Sequence, residues 1–165
     1  MNFGDREGTE LATAHGRDWP SIRQFNIFLA NRLGGLMSVV RHFEAADVRV
    51  VSLSVVDSSD CAIIRLIPSD PERSYEILKR AGLPFTETDL LVIELPDHRQ
   101  PLVQICKTLL SAEIDVHYAY PMLISGGSNP RAAFAFHVDD HETAAHTITS
   151  GGFRLLTEGD LNPDY

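Results

Sequence analysis

At 165 residues and 44% hydrophobic content, the chain can build one ordinary domain or two small ones. Fourteen Lys and Arg against 23 Asp and Glu leave a net charge of −9, which argues against a nucleic-acid partner because polyanion binding needs a basic face. No apolar run approaches the roughly 18 residues of a membrane span. The polar, acid-bearing start "MNFGDREGTELATAHGRDWP" has the pattern of neither a secretory signal nor an Arg-rich transit peptide. Residues 1–23 read as a flexible lead-in anchored by Trp19. Cys61 and Cys106 form no CxxC pair, and Cys106, set in a helical apolar stripe, reads as a buried, inert thiol. A cytoplasmic chain with reduced thiols is expected.

In chain order, Phe25, Ile27 and Leu29 alternate as a half-buried strand does. After "NRLGGL" comes a stripe of Leu36, Val39, Val40 and Phe43, the i, i+3, i+4, i+7 face of an amphipathic helix. "AADVRVVSLSVV" reads as a second strand, "VDSSDCA" as a tight hairpin, and "AIIRLIPSDPE" as a third strand leading into a helix with proline in its first turn. That helix carries Tyr75, Leu78 and Ala81 and stops at Gly82, as a C′ glycine would. "LPFTETDL" closes the unit as a fourth strand.

The same order then recurs. Leu91, Ile93 and Leu95, followed by Leu102, Ile105, Cys106 and Leu109, lie 66 positions after their counterparts, as do Ile114 and Val116 after Val48 and Val50. The offset grows to 70 because "LISGGSNPRA" is a longer, Gly/Ser/Asn/Pro-rich turn, an exposed tip around Ser125 to Ser128. "AAFAFHVDDHE" then repeats the third strand and helix start, and Gly152 repeats the stop. The expected fold class is α+β, with two ferredoxin-like βαββαβ units at 24–90 and 91–161. Each has an antiparallel sheet with both helices on one face, and the two pack as a pseudo-twofold pair. A unit this small leaves an edge or face unprotected, which a second copy can cover.

These residues resemble the ACT domain, a regulatory module that binds amino acids, over Gln24 to Leu161. The most specific segments are "FNIFLANRLGGL" and "LLVIELPDHRQPL", each a strand followed by Asn or Asp and a loop into a helix. "AEIDVHYAY" is similar to the family's second strand. By this resemblance the chain is a stand-alone tandem ACT regulatory protein that binds a small amino acid between its repeats. Asn31, Leu33, Gly34, Gly35 and Leu36 form the binding loop. A strand end running into a helix N-terminus offers free N–H groups to a carboxylate, and glycine permits positive φ and close approach. In a pseudo-twofold pair Asp115 faces Asn31 and Gly34 and accepts from the ligand's ammonium; it reads equally well as a solvated strand-end acid.

Asp97, Gln100 and Arg49 form the opposite, degenerate corner. There Gln100 and Pro101 depart from the family's pattern, and Asp97 and Arg49 reduce to a salt bridge. The alternative reading is a non-binding regulatory subunit or interaction module for an amino-acid biosynthetic enzyme, and the default assembly is a homodimer. The histidines of "HVDDHETAAH" have the wrong spacing for a helical metal pair, so neither a metal nor a cofactor is expected. Tyr118 and Tyr120 share a sheet face and read as core or interface packing. No Ser or Cys sits in a nucleophile elbow, and there is neither a P-loop nor a dinucleotide fingerprint, so catalysis is not expected.

Overall fold

Among the described residues, hydrophobic alternation and helical stripes translate into ten regular elements. The computed structural model describes residues 19–30, 34–57, 60–124 and 130–161. The order is β1 (Ile22–Ala30), α1 (Gly35–Ala45), β2 (Val50–Asp57), β3 (Cys61–Pro68), α2 (Pro71–Arg80), β4 (Phe85–Glu94), α3 (Pro101–Ser111), β5 (Val116–Ile124), β6 (Arg131–Val138) and α4 (His141–Ser150). A 3-10 turn at Glu158–Leu161 follows. The lead-in before Trp19, Asn31, Leu33 and the Ser125 to Ser128 tip lie outside the described residues.

All strand pairs are antiparallel, in the order β2-β3-β1-β4-β6-β5. Two units of four strands predict eight strands, whereas six form among the described residues. The closing strand of the first repeat and the opening strand of the second are one strand, β4. Its first half pairs with β1 (Ile22 opposite Leu90) and its second with β6 (Leu91 opposite Phe136). The closing strand of the second repeat shrinks to one bridge, Ile93 to Leu155, before the chain turns into the 3-10 segment.

The repeat persists in the backbone. Asp47 and Glu113 both take positive φ (54° and 57°) just after α1 and α3. Gly82 and Gly152 (64° and 83°) follow the ends of α2 and α4. Asp70 and Asp140 cap α2 and α4 by accepting from the N–H groups of Arg73 and Thr143, each at 3.0 Å. Register irregularities occur at Val50/Ser52 and at Val116/Tyr118. These are positions 66 or 70 apart, so the duplication extends to cap and bulge geometry.

Three cores result. Phe25 and Ile27 pack with Val39, Phe43 and Leu78 beneath α1 and α2, while Leu91 and Ile93 pack with Ile105, Leu109 and Ile148 beneath α3 and α4. Trp19 lies against the second of these. The third core lies where the helix-free faces meet: Ile22, Ile67, Leu90, Val92, Met122 and Ile124, closed by Leu156 and Leu161. The ends of the strand order, β2 and β5, accordingly touch each other. Each fully buried Leu, Ile or Phe contributes about 1.5–3 kcal/mol, so this seam is a large part of what holds the repeats together.

Part of the seam is polar. The Gln24 amide donates to Asn26 Oδ1 (2.7 Å) and to the Tyr118 hydroxyl (2.8 Å), and accepts from the Tyr120 hydroxyl. Asn26 donates to Thr88 (2.7 Å) and Thr86 (3.2 Å), and the Arg65 guanidinium lies 3.7 Å above the centre of the Tyr118 ring. Burial pushes the Tyr120 hydroxyl pKa well up, so it stays a donor. The two tyrosines are thus interface residues with polar tips.

Two expectations need correction. Cys106 is exposed, because α3 buries the i, i+4 pair Ile105 and Leu109 and turns the flank of the stripe outward. Leu36 is likewise exposed at 41%, since α1 buries Val39 and Phe43 one turn further on.

Candidate functional site

The glycine loop ends as a helix cap. Gly34 is the N-cap of α1 at φ 87°, ψ −1°, with no side-chain cap, and its carbonyl accepts the first helical bond from Ser38 N–H at 2.9 Å. The amides of Gly35, Leu36 and Met37 therefore have no partner within the helix. A Cβ on Gly34 would meet nothing within 4 Å, so glycine is required there for its backbone angle, not for space. Gly35 has the opposite reason: a Cβ would come within 3.1 Å of the Leu29 side chain, so this glycine lets α1 approach the end of β1. A shallow groove beside the cap is lined by Gly34, Met37, Ser38, Arg41 and His42.

The equivalence of Arg49 and Asp115 holds in detail. Arg49 N–H donates to Ser69 Oγ (3.2 Å) and Asp115 N–H to Asp139 Oδ1 (3.0 Å); the return bonds run from Ser69 N–H and Asp139 N–H to the two carbonyls. Their side chains do not do what a facing pair requires. Arg49 Nη2 donates to the Leu161 carbonyl at 2.6 Å, so Arg49 clamps the 3-10 turn and makes no ion pair with Asp97 among the described residues. Asp115 is exposed beside the start of β5, level with the first residues of β1, whereas Gly34 follows the last. Nearly the whole of β1 separates their levels, roughly 20 Å at 3.3 Å per residue. Within one chain Gly34 and Asp115 are not brought together.

The larger concavity is at the loop of the second repeat. There the end of β4, the 95–100 loop, the start of β6 and the end of α4 enclose a groove of about 700 Å³. Asp97 lines it; Gln100, the α3 N-cap at φ −150°, does not. The charged wall consists of Glu94, which accepts from Arg131 (3.0 Å) and from Arg154 (3.0 Å), while Arg154 also reaches Asp160 at 2.7 Å. Phe153, Leu95, Pro101 and Pro130 supply an apolar wall. Opposite charges beside an apolar surface match a zwitterion with a side chain.

Sequence reasoning passed over Glu94, Arg131, Phe153 and Arg154. The repeat itself carries the signal: at the displaced positions the first repeat has Phe28, Cys61, Leu83 and Pro84. Three charges, Glu94, Arg131 and Arg154, stand in the second repeat at positions that are uncharged in the first, while Arg32 and Asp60 of the first repeat stand at the positions of His98 and Pro130. The three lie far apart along the chain, and only the backbone correspondence shows that they meet: Phe28 N–H to Pro84 carbonyl (2.9 Å) is matched by Glu94 N–H to Arg154 carbonyl (3.0 Å).

No helix among the described residues is long and apolar enough to cross a membrane. No curated protein matches the chain in sequence. Among solved structures, a protein from Bacteroides thetaiotaomicron is similar at a TM-score of 0.77 and 23% identity, over 88% of this chain and 98% of the other. The regulatory subunit of aspartate kinase from Thermus thermophilus, in ligand-free form, is similar at TM-score 0.52 and 10% identity, over 81% and 94% of the two chains. That from Thermus flavus is similar at 0.50 and 12%, over 82% and 94%. At these identities the likeness is one of fold. The family model described as an ACT domain pair matches residues 20–163, essentially the whole folded region, and the chain belongs to that family.

Proposed function

We propose that this chain is a non-catalytic regulatory protein that binds a small amino acid, and that the corner groove of its second repeat is the binding site. The observation that carries this reading is the charge set Glu94, Asp97, Arg131 and Arg154 around an apolar wall, at positions where the first repeat is uncharged. The arginines suit the α-carboxylate, the acids suit the ammonium, and Phe153 and the prolines receive the side chain. The matched aspartate kinase subunits are regulatory by name, which supports a protein of amino-acid metabolism as the partner.

The Gly34 loop is the second reading, favoured by its left-handed cap and the amides that follow it. On that reading Asn31, Leu33 and Leu36 complete the loop, and Asp115 comes from a second copy in a homodimer. A non-binding interaction subunit is the alternative; Leu123, 68% exposed on the edge strand β5, favours it.

Thermal melts with each of the twenty amino acids separate these readings. A ligand at about 100 times its dissociation constant stabilises the fold by about 2.7 kcal/mol. Arg131→Met should remove the melting shift and Gly34→Gln should leave it. The reverse pattern assigns the site to the glycine loop. No shift with any of the twenty leaves the interaction subunit.

A further inference from the structure

The wall of the corner groove and the clamp on the first repeat belong to one short stretch of chain. Resting on the reading that the groove takes an amino acid, we propose that residues 154–161 transmit its occupancy to the first repeat, with Arg154 as the positioning residue shared between the two.

Arg154 divides its guanidinium between Glu94 in the groove (Nη1, 3.0 Å) and Asp160 in the 3-10 turn (Nη2, 2.7 Å). The other oxygen of Asp160 accepts from Thr157 N–H (2.8 Å) and Thr157 Oγ1 (3.1 Å), so the same carboxylate that holds Arg154 also shapes the turn. From the turn, two contacts cross to the first repeat. Glu158 Oε1 accepts from Arg23 N–H (3.2 Å) and Nε (3.4 Å), and the Leu161 carbonyl accepts from Arg49 Nη2 (2.6 Å). Leu156 and Leu161 insert into the seam between the repeats. The chain from groove to seam is therefore continuous: Glu94, Arg154, Asp160, turn, Arg23 and Arg49.

A ligand carboxylate entering the groove competes with Asp160 for Arg154. Arg154 is half exposed, so it reorients without unpacking a core. Losing it leaves the Asp160 carboxylate held, among the described residues, by Thr157 alone and loosens the turn whose far end is fixed by Arg49. By linkage, the factor by which an occupied groove shifts the turn equals the ratio of the groove's affinities in the two states of the turn. Arg99, exposed in the 95–100 loop but outside the lining of the groove, serves as the internal control.

Hydrogen exchange on the full chain tests the path without a ligand. Arg154→Met should raise exchange in 156–161 and at Arg49 to Val51 by about fivefold, the size of one exposed network contact. Asp160→Asn should do the same, and Arg99→Met should leave both segments at the wild-type rate. Unchanged exchange in both Arg154→Met and Asp160→Asn, or an equal rise in Arg99→Met, overturns the path. The twenty amino acids, added singly at millimolar concentration, form the second arm. One that shifts the wild-type melt should also change protection at Arg49 to Val51, and one that shifts the melt alone overturns transmission. If none shifts the melt, the amino-acid reading falls while the variants still decide whether the turn conducts.

Discussion

The first and second repeats share a backbone to the level of single hydrogen bonds but divide the work of the molecule unequally. On the seam, β1 presents Gln24 and Asn26 where β4 presents Leu90 and Val92, and β3 presents Arg65 where β6 presents Ala135. The second repeat answers with Tyr118 and Tyr120 where the first has Ser52 and Ser54. One end of the seam is thus a hydrogen-bonded polar cluster and the other an apolar core. At the strand-end corners the asymmetry runs the other way at three positions, with Glu94, Arg131 and Arg154 in the second repeat and Phe28, Cys61 and Pro84 in the first. A duplicated fold sets which positions meet, and divergence at paired positions then sets specificity. The polar cluster, satisfied only by residues from both repeats, fixes one register between them, as a fully bonded buried network does.

Separating the repeats should give the largest effect. A chain ending at Leu90 exposes Ile22, Ile67 and Leu90, loses the Tyr118 and Tyr120 partners of Gln24, and lacks the Leu156 and Leu161 plug. Such a 19–90 fragment should show no cooperative melt, while the full chain should unfold in a single transition. A stable folded monomer from the fragment would mean that mutual cover is not what holds the pair.

Next in size is the ion cluster that joins the repeats. The Arg23 side chain, only 4% exposed, meets Glu72 at 2.6 Å, Glu158 at 3.4 Å and Glu87 at 3.6 Å. Burial pulls its pKa down, but bonding and attraction from Glu72 and Glu158 outweigh that and raise it. Arg23→Met should cost about 2–4 kcal/mol in urea unfolding, because it removes a buried cation from Glu158, whose carboxylate is itself largely buried. A cost below that of an ordinary surface substitution would make the cluster incidental.

The two loop caps differ in a smaller way. Gly34 sits at φ 87° while Gln100, its counterpart, sits at −150°. Gly34→Ala should therefore destabilise by about 1 kcal/mol despite the open space, the cost of left-handed backbone for a residue with a Cβ. Gln100→Ala should change stability by less than about 0.5 kcal/mol. Equal effects would show that the loop relaxes to the same conformation in both repeats.

Much of this fold is readable from the residues. The 66 and 70 offsets already pair Asp47 with Glu113 and Gly82 with Gly152, and the alternation of β1 and β4 assigns the helix-facing residues correctly. The merging of two strands into β4 is legible in part: "TETDLLVIE" has neither Gly nor Pro, so the junction runs directly from one repeat into the next, but its pairing partners on β1 and β6 are distant in sequence. The loss of the final strand depends on Leu156 and Leu161 being drawn into the seam, a tertiary effect that overrides the local pattern of "FRLLTEGDL". The glycine cap is legible because positive φ leaves a signature. The charged corner is not, because Glu94, Arg131 and Arg154 meet only through the register of β4 with β6 and with the chain after α4.

The smallest effect concerns acid. His137 stands on β6 where the first repeat has Ile67, and it keeps the seam-facing direction. Its ring lies 4.9 Å from Tyr118 and 5.0 Å from His117, with His141 of α4 at 6.1 Å, and Arg65 of β3 covers the Tyr118 ring. Nδ1 is buried with no hydrogen-bond partner among the described residues. Burial, followed by repulsion from His117, His141 and Arg65, lowers the pKa of His137 below its ordinary value of 6.5. The folded state thus favours the neutral ring, and an unfolded chain binds a proton first as the pH falls. The titration of His137 costs the fold nothing well above 6.5; as the pH drops through that value towards the lowered folded one, stability is progressively lost. His137→Ile, the residue of the first repeat, removes this term. Urea midpoints for the two proteins should therefore diverge in favour of the variant between pH 7.5 and 5.5, by less than about 1 kcal/mol for a half-buried group. Parallel pH profiles would mean that the ring turns to solvent and takes its proton without disturbing the seam.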